Sequence, residues 1–247
     1  MSLPLLTPAL EPPAVPVLDE RITPGYYLRD GVRLGPYISG LLERCSTVFD
    51  IKPALTADLD RPEAAGLIDN GGVIEDGAHV TGPVIVQTGA RIEAGARVIG
   101  PVLVCEGAVV SAGALLRDHV VIGPRAQVGS GAEITRSLLG AGIFAKHACF
   151  IGDSVIGSNV NFGAFSSTTG LLSSAGPVVE PAVKEITVTV GEARYGTGQT
   201  KFGAVVGDGV ILPAATVLSP GTLIGPGTVI YPRTQLGGFM PTGSRIR

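Results

Sequence analysis

The side chains best suited to acid–base or nucleophilic chemistry are thinly spread: the histidines are His79, His119 and His147, and the cysteines are Cys45, Cys105 and Cys149. No two cysteines form a CxxC pair and no His/Cys spacing matches a zinc site, so a disulfide framework and a metal centre are both disfavoured. The densest chemistry lies in FAKHACFIGDSVIGSNVNFGAF, residues 144–165. An imidazole with a reference pKa of about 6.5 can take a proton near neutral pH, so His147 within this stretch is open to general-base chemistry. A lone histidine is more often an ordinary turn or surface residue. Cys149, two residues on, suggests a Cys/His nucleophile, but that chemistry needs hydrogen-bond geometry that spacing alone does not supply. A buried thiol is the plainer reading.

What could hold these residues in place is a repeat. Stepping six residues from Ile68 meets Ile74, Val80, Val86, Ile92, Val98, Val104, Val110, Leu116, Ile122, Val128 and Ile134. Gly, usually followed by Ala, recurs three residues later, as in EDGAHV and EAGARV. The frame slips at Leu139 and again at Ile156, fades after Phe162, and returns from Val206 to Leu236. Neither a helix nor a simple strand has a period of six. Short strands joined by tight turns, three to a coil of about 18 residues, do, and stacked coils bury continuous aliphatic ladders. The predicted class is all-β, a single-stranded parallel β-helix. With 36 Gly, 19 Pro and 16% charged residues, against roughly 25% in an average globular chain, the composition agrees.

Residues 1–66 lack the repeat and read as a Pro-rich arm followed by a short helical region, with Ile38, Leu41, Leu42 and Cys45 at helical spacing, packed on an end or flank of the prism. The β-helix domain is assigned to 67–247, with a loop or hairpin at about 165–203 whose EITVTV run reads as a strand and which is expected to overhang the site. The formal net charge of -3 predicts no broad field for nucleic acid or an anionic membrane. No apolar run reaches membrane-spanning length and the N-terminus has no signal-peptide pattern, so a cytoplasmic location is expected.

The KHxxxIGDSxIGxxVNFGA pattern and the later GTGQTKFGAVVGDGV resemble the hexapeptide-repeat acyltransferases. In particular they resemble the acetyltransferase domain of bifunctional N-acetylglucosamine-1-phosphate uridylyltransferases and the archaeal sugar-1-phosphate nucleotidylyltransferases. The resemblance covers about residues 68–238. It implies a left-handed coil and a homotrimer with acyl-CoA between neighbouring prisms. It also implies acetyl transfer from acetyl-CoA as co-substrate, without metal, to an amino-sugar phosphate such as glucosamine-1-phosphate. By this resemblance His147 is the base, Asn161 a sugar contact, Ala164 a backbone donor near the thioester carbonyl, and Arg117 and Lys201 phosphate contacts. Residues 1–66 hold no Gly-rich phosphate loop and too little chain for a nucleotidyltransferase domain, so that activity is not expected.

Three departures bear on the site: Phe150 where the family has Tyr, Thr135 where it has Lys with Arg136 adjacent, and Gly170 where it has Asn. They support an alternative, a non-catalytic scaffold or regulatory subunit partnering a separate sugar nucleotidyltransferase. A carbonic anhydrase on the same fold is disfavoured because the three histidines lack zinc-ligand spacing.

Overall fold

The computed structural model describes residues 18–29, 31–175, 182–232 and 235–247. The Pro-rich arm up to residue 17 and the insertion's residues 176–181 fall outside them. The described chain forms a left-handed parallel β-helix of about nine turns. Three parallel sheets make the faces of the prism: face A from Val73–Ile74 to Arg245–Ile246, face B from His79–Thr81 to Gln235–Leu236, and face C from Val84–Val86 to Phe239–Met240.

The six-residue ladder is the interior. Val86, Ile92, Val98 and their successors to Met240 form one buried cluster. Each contributes roughly 1.5–3 kcal/mol of burial. The Ala of most Gly–Ala pairs is a core residue as well: Ala90, Ala96, Ala108 and Ala114 are at most 2% exposed. Ile68 is the exception at the start, lying outside any strand and 81% exposed. The ladder begins at Ile74, which has no preceding coil to cover it. After Phe162 the frame continues one step further than the aliphatics reveal, through Thr168, fully buried inside the prism. Thr has the shape of Val, and its hydroxyl is satisfied by the Gly152 N–H at 2.8 Å and the Gly152 carbonyl at 3.0 Å.

Every irregularity in the period falls on the edge between faces B and C. From face C to A and from A to B the inward residues are six apart throughout, as in Ile122, Val128 and Ile134. Across the B/C edge the step shortens at Ile134 to Leu139 and at Ile151 to Ile156, and the long insertion leaves after Thr168 and rejoins before Val206.

Face C is apolar on both sides. Its strands read VIV, VLV, VVI and AVV, and the outward residues Leu103, Val121, Leu138, Val155, Val205 and Leu223 are fully buried. A strand buried on both faces reads as a continuous aliphatic run, and something must cover it. The cover is the N-terminal region: α1 (Pro24–Tyr27), α2 (Gly31–Glu43) and α3 (Ile51–Asp60). Tyr27, Leu34, Ile38, Leu41, Ile51 and Leu55 join those face C residues in a second core. The expected flank packing therefore holds, but there is more helix than the single predicted one. Helix α2 breaks at Gly35 (φ 77°), ahead of Pro36, and Cys45 lies beyond its end. Helix α3 was not anticipated.

The EITVTV run does form a strand, Thr187–Val190, paired antiparallel with Ala193–Gly196. This hairpin lies on face C instead of standing free. Ile186, Val188 and Val190 are buried in the second core, and the Tyr195 hydroxyl donates to Asp19 at 2.9 Å.

Candidate functional site

His147 lies on the A/B edge, between the strand Phe144–Ala145 of face A and the strand Cys149–Gly152 of face B. Gly129 makes this stacking possible, because a Cβ there would overlap the carbonyl of Lys146. The turn departs from the repeat. In the preceding coils the turn closes with an N–H to carbonyl bond, as from Ala96 to Glu93, Ala114 to Ser111 and Ala132 to Gly129, with Gly95, Gly113 and Gly131 left-handed. Here Ala148 stands in the glycine's place without a positive φ, and the Cys149 N–H reaches Gly131 O at 3.4 Å. The His147 side chain is exposed and makes no hydrogen bond among the described residues.

One coil further, Ala164 stacks on the same edge. The equivalent N–H groups of Ala94 and Ala112 are capped by Glu75 at 3.0 Å and Glu93 at 3.4 Å. The N–H of Ala164 donates to none of the described residues, whereas its carbonyl accepts from Ala215 at 2.8 Å. Such a donor is available to an oxyanion. Asn161 opens the strand Asn161–Phe162 on face A, outward-facing and exposed, in register with Phe144 and Ile211.

Two rings flank this group that the sequence reading passed over. Phe144 is 42% exposed, with the Lys146 ammonium 5.5 Å from its centroid, and Phe165 is 75% exposed in a left-handed conformation (φ 61°). Phe165 stands where earlier turns carry Gly95, Gly113 and Gly131, and that replacement was the available signal. Cys149 is buried, and burial pushes its thiol up to about 11, so it is neutral at physiological pH. Phe150 is partly buried on face B, opposite Glu133 and Ser167.

Arg117 and Lys201 lie at the other side of face B. Arg117 ends the strand Leu115–Arg117 and is bound by Glu133 at 2.6 and 2.9 Å and by Thr135 Oγ1 at 3.3 Å. Lys201 is exposed, its backbone bridged to Leu171 beside the B/C edge. One chain thus brings His147 and Ala164 together on one edge, with Asn161 beside them on face A, and holds Arg117 and Lys201 a full face away.

The B/C edge carries a chain of alternating charge. His119 lies between Asp60, the last residue of α3, and Asp118, each at 2.8 Å. Arg136 joins Asp118 at 2.7 Å to Asp153 at 2.9 and 3.0 Å, and Asp153 accepts from Lys52 of α3 at 2.9 Å. Burial pushes the Asp153 carboxyl upward, but Arg136 and Lys52 outweigh it and hold it below the usual carboxylate range. Burial of the His119 ring favours its neutral form, and Asp60 and Asp118 override it, raising its pKa. Gly170 abuts this chain, since a Cβ there would lie 3.2 Å from an Asp153 carboxylate oxygen. Among the described residues no group of three or more His, Cys, Asp or Glu side chains could hold a metal ion, and no helix is long and apolar enough to cross a membrane.

The stacked coils, each of three short strands, make the chain a parallel β-solenoid. The family described as GMPPB C-terminal domain matches residues 98–194, less than half of the chain. Among solved structures, the chain is similar to the UDP-N-acetylglucosamine acyltransferase from Campylobacter jejuni, with 15% identity, a TM-score of 0.30 and coverage of 71% of each chain. It is also similar to the acetyltransferase domain of PglB from Neisseria gonorrhoeae FA1090, with 13% identity, a TM-score of 0.22 and coverage of 74% of this chain and 63% of that one. A sequence comparison with curated proteins returns no match.

Proposed function

We propose that this protein transfers an acetyl group from acetyl-CoA to the amine of an amino-sugar phosphate such as glucosamine-1-phosphate. The observation that carries the reading is the A/B edge: an exposed imidazole at His147 and, one coil on, a backbone donor at Ala164, both without a partner among the described residues, beside the exposed amide of Asn161. His147 takes the proton from the acceptor amine as it attacks the thioester carbonyl, and Ala164 N–H stabilises the oxyanion that forms. The oxyanion collapses to the amide as the C–S bond breaks, and CoA leaves as the thiol with the proton returned by His147. Asn161 orients the sugar, and Phe144 and Phe165 supply apolar surface beside it. Arg117 and Lys201 are the phosphate contacts in this reading. They are a face apart from His147, so they meet it across the groove between two prisms of a homotrimer, with Arg117 exchanging part of its Glu133 contact for the ligand. Acetyl-CoA supplies the acyl group, and the reading requires no metal.

That Arg117 is held by Glu133 also favours the second reading, a scaffold that binds a separate sugar nucleotidyltransferase. One assay separates them. Purified protein is incubated with acetyl-CoA and a panel of amino-sugar phosphates while free CoA is followed. Turnover with an acceptor is expected; silence across the panel, with no acetyl-CoA binding by calorimetry, sinks the transfer reading.

A further inference from the structure

The B/C edge opens into a cleft of about 360 Å³ lined by Lys52, Arg136, Asp153, Gln199, Thr200 and Lys201. It is built jointly by the helical layer, which contributes Lys52 from α3, and by the prism. Its hydrogen-bonding capacity is only partly spent. The Lys52 ammonium donates to Asp153 and to the Lys201 carbonyl, which leaves one of its three N–H groups. The Arg136 guanidinium uses three of its five N–H groups on Asp153 and Asp118. The Lys201 ammonium makes no ion pair or hydrogen bond among the described residues. Asp153, only 7% exposed in its side chain, lies at the base of the cleft and fixes Lys52 and Arg136. Three cations line the cleft against Asp153 and the Asp118 carboxylate that Arg136 also binds, leaving one positive charge. Gln199 contributes the opposite polarity. Its amide N–H groups donate to the Phe49 and Thr197 carbonyls at 2.9 and 3.4 Å, while its Oε1 is buried with no partner. A buried acceptor without a donor is costly unless a ligand supplies one.

We propose that this cleft binds the phosphomonoester dianion of a small polyol. The phosphate oxygens accept from Lys52, Arg136 and Lys201, and the Gln199 side chain turns so that its Oε1 accepts from a hydroxyl of the ligand. The excess of cations favours an anion, and charge-assisted bonds to fixed donors are the strong ones. Lys52 makes the helical layer part of a binding site as well as the cover of face C. The cleft shares Lys201 with the transfer reading but requires no transfer, so a direct binding measurement tests it whether or not the protein moves an acetyl group.

The test is titration calorimetry of the full chain with glucose 1-phosphate, inorganic phosphate and glucose. Glucose 1-phosphate should bind saturably, inorganic phosphate more weakly because it carries no polyol hydroxyl, and glucose not at all. Lys201→Gln and Lys52→Gln should each weaken glucose 1-phosphate by roughly tenfold or more, the worth of a hydrogen bond to a charged group. Lys52→Gln also removes an anchor of α3, so its thermal unfolding is measured alongside. Lys201→Gln breaks no ion pair and leaves the fold intact. Arg125→Gln, which removes an exposed positive charge from the C/A edge, should leave the affinity unchanged. No saturable binding of glucose 1-phosphate up to the order of 10 mM, unaltered affinity in Lys201→Gln, or equal loss in Arg125→Gln would each overturn the proposal. Inorganic phosphate binding as tightly as glucose 1-phosphate would overturn the polyol's part in it.

Discussion

The A/B and B/C edges of the same prism treat their polar groups in opposite ways. On the A/B edge the inward residues stay six apart and the turns repeat as far as Ala132. Where they then change, around His147 and Ala164, the functional groups are left unspent: an imidazole, the Ala164 N–H, and the Phe144 and Phe165 rings. On the B/C edge the coil length varies, and Asp118, His119, Arg136 and Asp153 bind one another and both ends of α3. An edge of constant spacing can leave side chains free because its backbone turn bonds and the stacking of its coils hold it. An irregular edge that docks another layer uses its polar groups as fastenings, and only those left over, such as the Lys201 ammonium, remain for a ligand.

The sharpest way to break this contrast is Asp153→Asn. It removes the carboxylate that holds two buried or half-buried cations, and breaking such a pair costs about 3–5 kcal/mol. Urea unfolding should show a loss of that size; a loss under about 1 kcal/mol would mean that the charge chain does not fasten α3 to the prism. His147→Ala on the opposite edge should do the reverse. Stability should hardly change, because the side chain is exposed and outside the ladder, whereas acetyl transfer should fall by roughly 10²–10⁴, the usual worth of a general base. Full activity in this variant would remove the assignment and leave the fold untouched.

Smaller effects sharpen the comparison. The pKa of His119 is raised in the folded protein, so the stability it lends is complete below the unfolded imidazole value of about 6.5 and is lost as pH climbs through the raised value. Unfolding measured from pH 5.5 to 9 should therefore show wild type losing up to about 1 kcal/mol relative to His119→Gln, a modest figure because the Asp60 carboxylate is more than half exposed. Curves that run parallel over the whole range would show that the contact carries no stability. Phe165→Asn should change monomer stability by no more than about 0.5 kcal/mol, since Asn tolerates the left-handed backbone and the ring is 75% exposed. If the ring faces a neighbouring prism, the same variant should shift the assembly toward monomer in light scattering.

The period of six by itself determined the β-helix, because only one inward position per short strand satisfies that spacing, and it identified the interior residues from Val86 to Phe162 and from Val206 to Leu236. The motif around His147 was legible through its resemblance to the hexapeptide-repeat acyltransferases, and the ladder, which takes Ala145 and Ile151 inward, left His147 outside the core. The doubled aliphatics of face C, as in Val102, Leu103 and Val104, also announced a covered face, but no local pattern names the cover. Only the tertiary structure decided that α3 and the Thr187–Val190 hairpin lie on it, that Arg117 turns to Glu133, and that Lys52 meets Asp153, 101 residues away. Stacking repeats interact with their nearest neighbours and so leave a periodic trace in the chain. Contacts between the helical layer and the prism join residues with no fixed separation, and their geometry exists only once both cores have formed.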